Sequence, residues 1–93
     1  MQAVAIFKTE QAYRYLNAMC LHFGRKVEAN CNTHDAQIVF PFGECNLAAD
    51  TAQLHMTAQA SDQSQLNEVV ETVTRHLERF AFRENPQLVW LAP

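Results

Sequence analysis

Two histidines and three arginines carry the chemistry that this chain offers: His22 with Arg14, and His76 with Arg79 and Arg83. In the segment Arg75-His76-Leu77-Glu78-Arg79-Phe80-Ala81-Phe82-Arg83, Leu77 and Phe80 continue a core-facing helical stripe. His76, Arg79 and Arg83 fall on the edge of that same helix. A second helix answers it with Arg14-Tyr15-Leu16, Cys20, His22 and Phe23. On each helical wheel the histidine borders the apolar stripe, His22 beside Tyr15 and Met19, His76 beside Val73 and Phe80. If the two helices lie side by side, Arg14, His22, His76, Arg79 and Arg83 line a shared rim. Arginine offers a planar fork for carboxylate or phosphate, and a border imidazole titrates near neutrality. The rim therefore suits a small anion. At a separation below about 6 Å the two imidazoles would repel each other's protons, so protonation of one should be depressed. The alternative is that each histidine bonds locally at the core edge while the arginines pair with Glu78 or Glu84.

Three cysteines and four histidines also invite a metal reading. Zinc needs four ligands converging in a tetrahedron. Strand alternation points Cys45 inward and His55 outward. Cys20 and His22 lie about 200° apart at 100° per helical residue, so they do not face one ion. Cys20, Cys31 and Cys45 are therefore expected to be small buried hydrophobes, with no metal site and no cofactor. No glycine-framed nucleophile motif surrounds any of them.

The elements that must position these groups follow from periodicity. Residues 3–8 read as a strand. Thr9 then reads as a helix N-cap, with Glu10 favoured at the positive helix start. Leu16, Met19, Cys20 and Phe23 share one side of a helix over about residues 10–23, and Gly24 is its expected left-handed stop. The period then changes to two. Val27, Ala29 and Cys31, then Ile38 and Phe40, then Cys45, Leu47 and Ala49, then Leu54, Met56 and Ala58 alternate with polar neighbours. This is the pattern of half-buried antiparallel strands in a meander. Asp62 or Ser61 opens a second helix, with Gln65 at the capping-box position. Leu66, Val69, Val70, Val73, Leu77 and Phe80 form its stripe, and Asn85-Pro86 ends it. Residues 87–91 read as a last strand or an extended tail. Together these predict an α+β two-layer sandwich in β-α-β4-α-β order. A curved, mainly antiparallel sheet carries both helices on one face, in a helix-grip or TATA-binding-protein-like arrangement. Phe82 and Leu21 fall off their stripes. With Val39, and with Val4, Ile6, Val89 or Leu91 depending on register, they suggest a surface for self-association, hence a homodimer.

Composition narrows the class. The chain of 93 residues predicts a single domain, 1–93, and 48% hydrophobic against 18% charged residues argues against disorder. A net charge of −3 with no basic run argues against nucleic-acid binding. The first ten residues lack a basic region and a signal-length apolar run, and no segment reaches membrane-span length. A soluble cytoplasmic domain is expected, and an odd cysteine count fits a reducing cytosol better than a disulfide framework.

Three separated motifs carry a family resemblance: Arg14-Tyr15-Leu16 with Cys20-Leu21-His22-Phe23, Phe40-Pro41-Phe42-Gly43-Glu44-Cys45-Asn46-Leu47, and Arg75 through Glu84. In this order they resemble the small bacterial family catalogued as domain of unknown function 2218, over nearly the whole chain. The resemblance brings no activity and no catalytic residues. It implies an association with siderophore-interacting flavin reductases, and so with iron acquisition. The expected function is a non-enzymatic binding or accessory module, taking a small anionic or iron-siderophore ligand or such a reductase as partner. The rival is a small enzyme using His22 or His76 as acid–base with Arg79 as electrophile. The chain has no glycine-rich phosphate loop, metal motif or triad to support it.

Overall fold

The computed structural model describes residues 1–93. Strand β1 (Gln2–Lys8) is followed by helix α1 (Ala12–Phe23) and by four strands, β2 (Glu28–Cys31), β3 (Asp35–Phe40), β4 (Gly43–Ala49) and β5 (Gln53–Gln59). Helix α2 (Gln63–Phe80) and a 3-10 turn at Phe82–Glu84 complete the regular structure. The sheet order is β1-β5-β4-β3-β2, and every neighbouring pair is antiparallel. The α+β class, the antiparallel sheet and the two helices agree with the periodicity. No helix is long and apolar enough to cross a membrane.

Register explains why the helices share a face. Cys45 pairs with both Ile38 and Ala58, and Leu47 with Ala36 and Met56. Ala5 pairs with Met56, and Phe7 with Leu54. All of these point to one side and all are buried. The opposite side carries Gln37, Asn46 and Thr57 in one cross-strand row. A sheet with one apolar face must cover it. Helix α1 does so with Tyr15, Leu16, Met19 and Phe23, and α2 with Leu66, Val69, Val73 and Leu77. Because β1 and β2 are the two edges, the connection through α1 must cross the whole sheet. It packs on β2, β3, β4 and β5 and meets α2, while β1 packs on α2 and, through Phe7 stacked on Tyr15, on α1.

Local hydrogen bonds set the turns. Asn32 Oδ1 accepts from the backbone N–H of His34 and Asp35, both at 2.8 Å, which starts β3 earlier than alternation alone implies. Asp50 Oδ1 does the same for Ala52 and Gln53 between β4 and β5, at 2.7 and 2.8 Å. Such side-chain turns are the usual business of Asn and Asp. Asp62 caps α2 as expected, accepting from Gln65 N–H at 2.8 Å.

Several expectations need correction. Thr9 is not the helix cap: its Oγ1 accepts from Gln11 N–H at 3.0 Å and donates to Glu84 at 2.7 Å, and α1 begins after Gln11. Gly24 is right-handed, at φ −61 and ψ −15. A Cβ there would lie 2.9 Å from the Cys20 carbonyl, so close approach replaces handedness as the constraint. Residues 87–91 are a tail rather than a strand. One bridge joins Val4 and Leu91, with N–H to O distances of 2.7 and 2.9 Å. Trp90 instead turns its indole N–H to Thr74 Oγ1 at 2.8 Å. Only Cys45 is a buried free thiol. Cys20 and Cys31 form a disulfide, with Cα atoms 6.5 Å apart, that ties α1 to the edge strand. Alternation gave Cys31 the inward parity, but at a sheet edge inward is not buried. The pair also removes the cysteine argument for a reducing compartment.

Candidate functional site

Leu16, Met19 and Phe23 anchor α1 to the sheet, and His22 precedes Phe23 by one helical step. Val73 and Leu77 anchor α2, and His76 precedes Leu77 by one step. Each imidazole therefore emerges at the margin of its helix, and the two margins adjoin. The His22 and His76 ring centroids are 4.6 Å apart. Aromatic rings frame them: Phe23 lies 5.1 Å from His22 and 4.7 Å from His76, and Phe80 lies 5.8 Å from His22. Phe40 supports Phe23 edge-on at 5.1 Å.

The two histidines are held differently. His76 Nδ1 lies 2.6 Å from the Thr72 carbonyl. A carbonyl only accepts, so Nδ1 carries a hydrogen and Nε2 is the nitrogen left to gain one. His22 Nε2 is buried and has no hydrogen-bond partner. An unmet polar atom of this kind costs free energy, which a ligand can recover. The protonation of His22 is pulled below its ordinary value of 6.5, first by burial, then by His76, Lys26, Arg79 and Arg25. Of these neighbours, Lys26, Arg79 and Arg25 carry a permanent positive charge.

His22, His76, Arg79 and Phe80 line a hollow of about 250 Å³. Arg14, Tyr15, Phe80, Phe82 and Arg83 line a second, of about 280 Å³. All five expected residues thus border one region, but not one rim: Phe80 is a wall common to both hollows and separates Arg14 and Arg83 from the histidines. Phe80 was expected in the core, yet it is 36% exposed because it ends the helix. Phe82 is 68% exposed, with the Arg83 guanidinium 5.7 Å from its ring centre.

Glu84 is not an arginine partner. Its carboxylate accepts from Thr9 Oγ1 and from the Tyr15 hydroxyl. Burial, that hydrogen bond and the Glu84 charge push Tyr15 up to about 12, against an opposing effect of Arg14. This clasp joins the end of β1, the start of α1 and the 3-10 turn. Sequence reasoning missed it because Thr9 and Glu84 are 75 residues apart. It also missed Arg25 and Lys26. Their signal was position: two cations directly after the glycine stop beside His22. Of seven lysines and arginines, only Lys8 and Arg75 lie outside this set of Arg14, Arg25, Lys26, Arg79 and Arg83. In a protein of net charge −3, these five cations border the C-terminal end of α2, with Arg14 near the start of α1 and Arg25 and Lys26 just beyond its end.

No group of three or more His, Cys, Asp or Glu converges as a metal site. Larger depressions lie elsewhere, of about 610 Å³ over the polar sheet face and about 530 Å³ beside Pro41 and Ser61. Neither contains a buried unpartnered side chain or a cluster of one charge, so volume alone does not favour them.

The family described as "Uncharacterized protein conserved in bacteria (DUF2218)" matches residues 4–91. The chain is similar to a solved structure titled "NMR structure of PA4090 from Pseudomonas aeruginosa", with 29% identity and a TM-score of 0.82, over 96% of this chain and 93% of that one. Comparison with curated proteins gives no match.

Proposed function

This chain belongs to the bacterial DUF2218 family, and we propose that it is a non-enzymatic binding module that holds a small anion between the margins of its two helices. The observation that carries the reading is His22 Nε2, buried without a partner, beside His76 in a hollow whose charged neighbours are all cationic. An oxyanion would supply the missing acceptor for an imidazole N–H and a partner for the Arg79 fork. Arg14 and Arg83, beyond Phe80, extend the field that attracts it. The likeness to helix-grip and TATA-binding-protein-like arrangements concerns architecture and adds no function.

The family resemblance makes an anionic ferric siderophore the first ligand to try, and a siderophore-interacting flavin reductase the first protein partner. The test is a thermal-shift screen of sulfate, phosphate, citrate and ferric hydroxamate or catecholate chelates, followed by amide NMR mapping. A ligand at 100 times its Kd should add roughly 2.7 kcal/mol of stability. Shifts centred on His22, His76 and Arg79, lost in Arg79→Gln, support the reading. Shifts confined to the outer sheet face overturn it.

One observation favours the rival acid–base enzyme: a neutral His22 with an open ring nitrogen is a competent base. Turnover abolished by both His22→Gln and Arg79→Gln would establish that reading in place of simple binding.

A further inference from the structure

We propose that this hollow takes an oxyanion together with a proton, which the His22–His76 pair receives as the anion enters. The inference rests on the anion-binding reading and goes beyond it, because an arginine cleft alone would bind without proton exchange. The geometry that sets it apart is the ring pair, with centroids 4.6 Å apart. His22 Nε2 has no partner, and the Thr72 carbonyl commits His76 Nδ1. Two ring nitrogens therefore remain that can each gain a proton, and none is already bonded to an acid.

The charged groups around His22 all oppose a proton on its ring while the hollow is empty. Helix α1 and the turn after it bring Arg25 and Lys26, and α2 brings Arg79. Arg14 and Arg83 stand in the adjoining hollow. The sheet side offers Phe40 behind Phe23, which carries no charge. The nearest carboxylate on the 3-10 turn, Glu84, is engaged by Thr9 and Tyr15. Glu78 lines a separate depression with Trp90. Entry of an oxyanion reverses the balance. An imidazolium N–H then donates to an anionic oxygen, and the surrounding cations are partly neutralised. The proton comes from solvent, and no bond within the ligand changes. By linkage, a ligand that raises the proton affinity of its site binds more tightly as pH falls, at most tenfold per pH unit for one proton.

Calorimetry of sulfate binding to the full chain tests this, at fixed ionic strength, in two buffers with different ionisation enthalpies. Sulfate is the probe because it is fully ionised near neutrality and exchanges no proton of its own. The expected result is uptake of roughly half to one proton per sulfate near pH 7, with affinity weakening about three- to tenfold per unit between about pH 6 and 8. The double variant His22→Gln with His76→Gln should still bind sulfate, more weakly, with no uptake and a flat pH profile. Wild-type binding with zero uptake overturns the proton coupling and leaves the anion reading standing. Unchanged uptake in the double variant moves the proton elsewhere and also overturns the coupling. No binding of sulfate, or of phosphate as a second oxyanion, at any pH overturns both.

Discussion

At its N-terminal end α2 is closed by partners: Asp62 accepts from Gln65 N–H, Leu66 and Val69 are buried, and Gly43 of β4 lies against Val69 and the Gln59 backbone. At its C-terminal end the helix stops on a half-exposed Phe80 and gives way to a 3-10 turn ending at Asn85, which is left-handed at φ 49. His76, Arg79 and Arg83 are displayed there, with no carboxylate bonded to either arginine. One end has spent its polar groups on structure. The other keeps charge and an imidazole nitrogen uncommitted, and uncommitted groups are what a ligand can use. The comparison predicts that substitutions near the first end act on stability, whereas surface substitutions at the second act on binding.

The largest effect should show that this contrast concerns the surface and not the packing beneath. Leu77 is fully buried under the histidine margin. Leu77→Ala should cost roughly 2–5 kcal/mol in urea unfolding, as a cavity in any core would. A loss below about 1 kcal/mol would mean that this end of the helix is loosely packed. Next comes Gly43→Ala. The added Cβ would lie 2.8 Å from Val69 Cγ2 and closer still to the Gln59 carbonyl. A cost of about 1–3 kcal/mol is expected, with no change in anion binding. Disulfide reduction tests a staple that touches α1 but not α2. Cys20 and Cys31 are 11 residues apart, so loop-closure entropy sets an upper figure of roughly 3 kcal/mol. Thiol titration of the unreduced, unfolded protein should find only Cys45; three reactive thiols would refute the bond.

Smaller effects sharpen the same comparison. Asp62→Ala should cost about 1 kcal/mol through the lost cap, while Arg79→Gln should change stability by less than about 0.5 kcal/mol and abolish anion binding. Equal destabilisation by both would erase the distinction between the two ends. The weakest effect is on pH dependence. His22 is depressed in the folded state, so its contribution is complete above the ordinary value of 6.5 and is lost as pH falls from there through the folded value. His22→Gln should remove that part of the acid sensitivity. Unfolding curves for the two proteins at about pH 7.5 and 5 provide the check, and parallel losses would show that His22 does not contribute.

How much was legible can be judged residue by residue. Met19 and Val73 announced their burial through helical period, and Ile38, Cys45, Leu47 and Met56 through strand alternation. Asp62 announced its cap because capping is a local bond. Phe82 and Leu21, off their stripes, are exposed as the wheels implied. Thr9 misled because a hydroxyl before a helix can bond locally or across the chain, and Glu84 drew it across. Cys31 misled because alternation reports which side a residue faces, not whether that side is covered. Phe80 misled because the apolar stripe continues past the point where the sheet supports it.

The linear chain by itself determined direction: which side of each helix or strand a residue faces, and hence that both histidines stand at borders. Adjacency was decided only in three dimensions. The crossover of α1 from one sheet edge to the other brings His22 against His76, sets Cys20 beside Cys31, and lets Phe80 divide the cations into two groups. The physical reason is one of range. Backbone periodicity and capping act over a few residues. Contacts between elements depend on how whole apolar faces pack, and no short stretch of sequence encodes that.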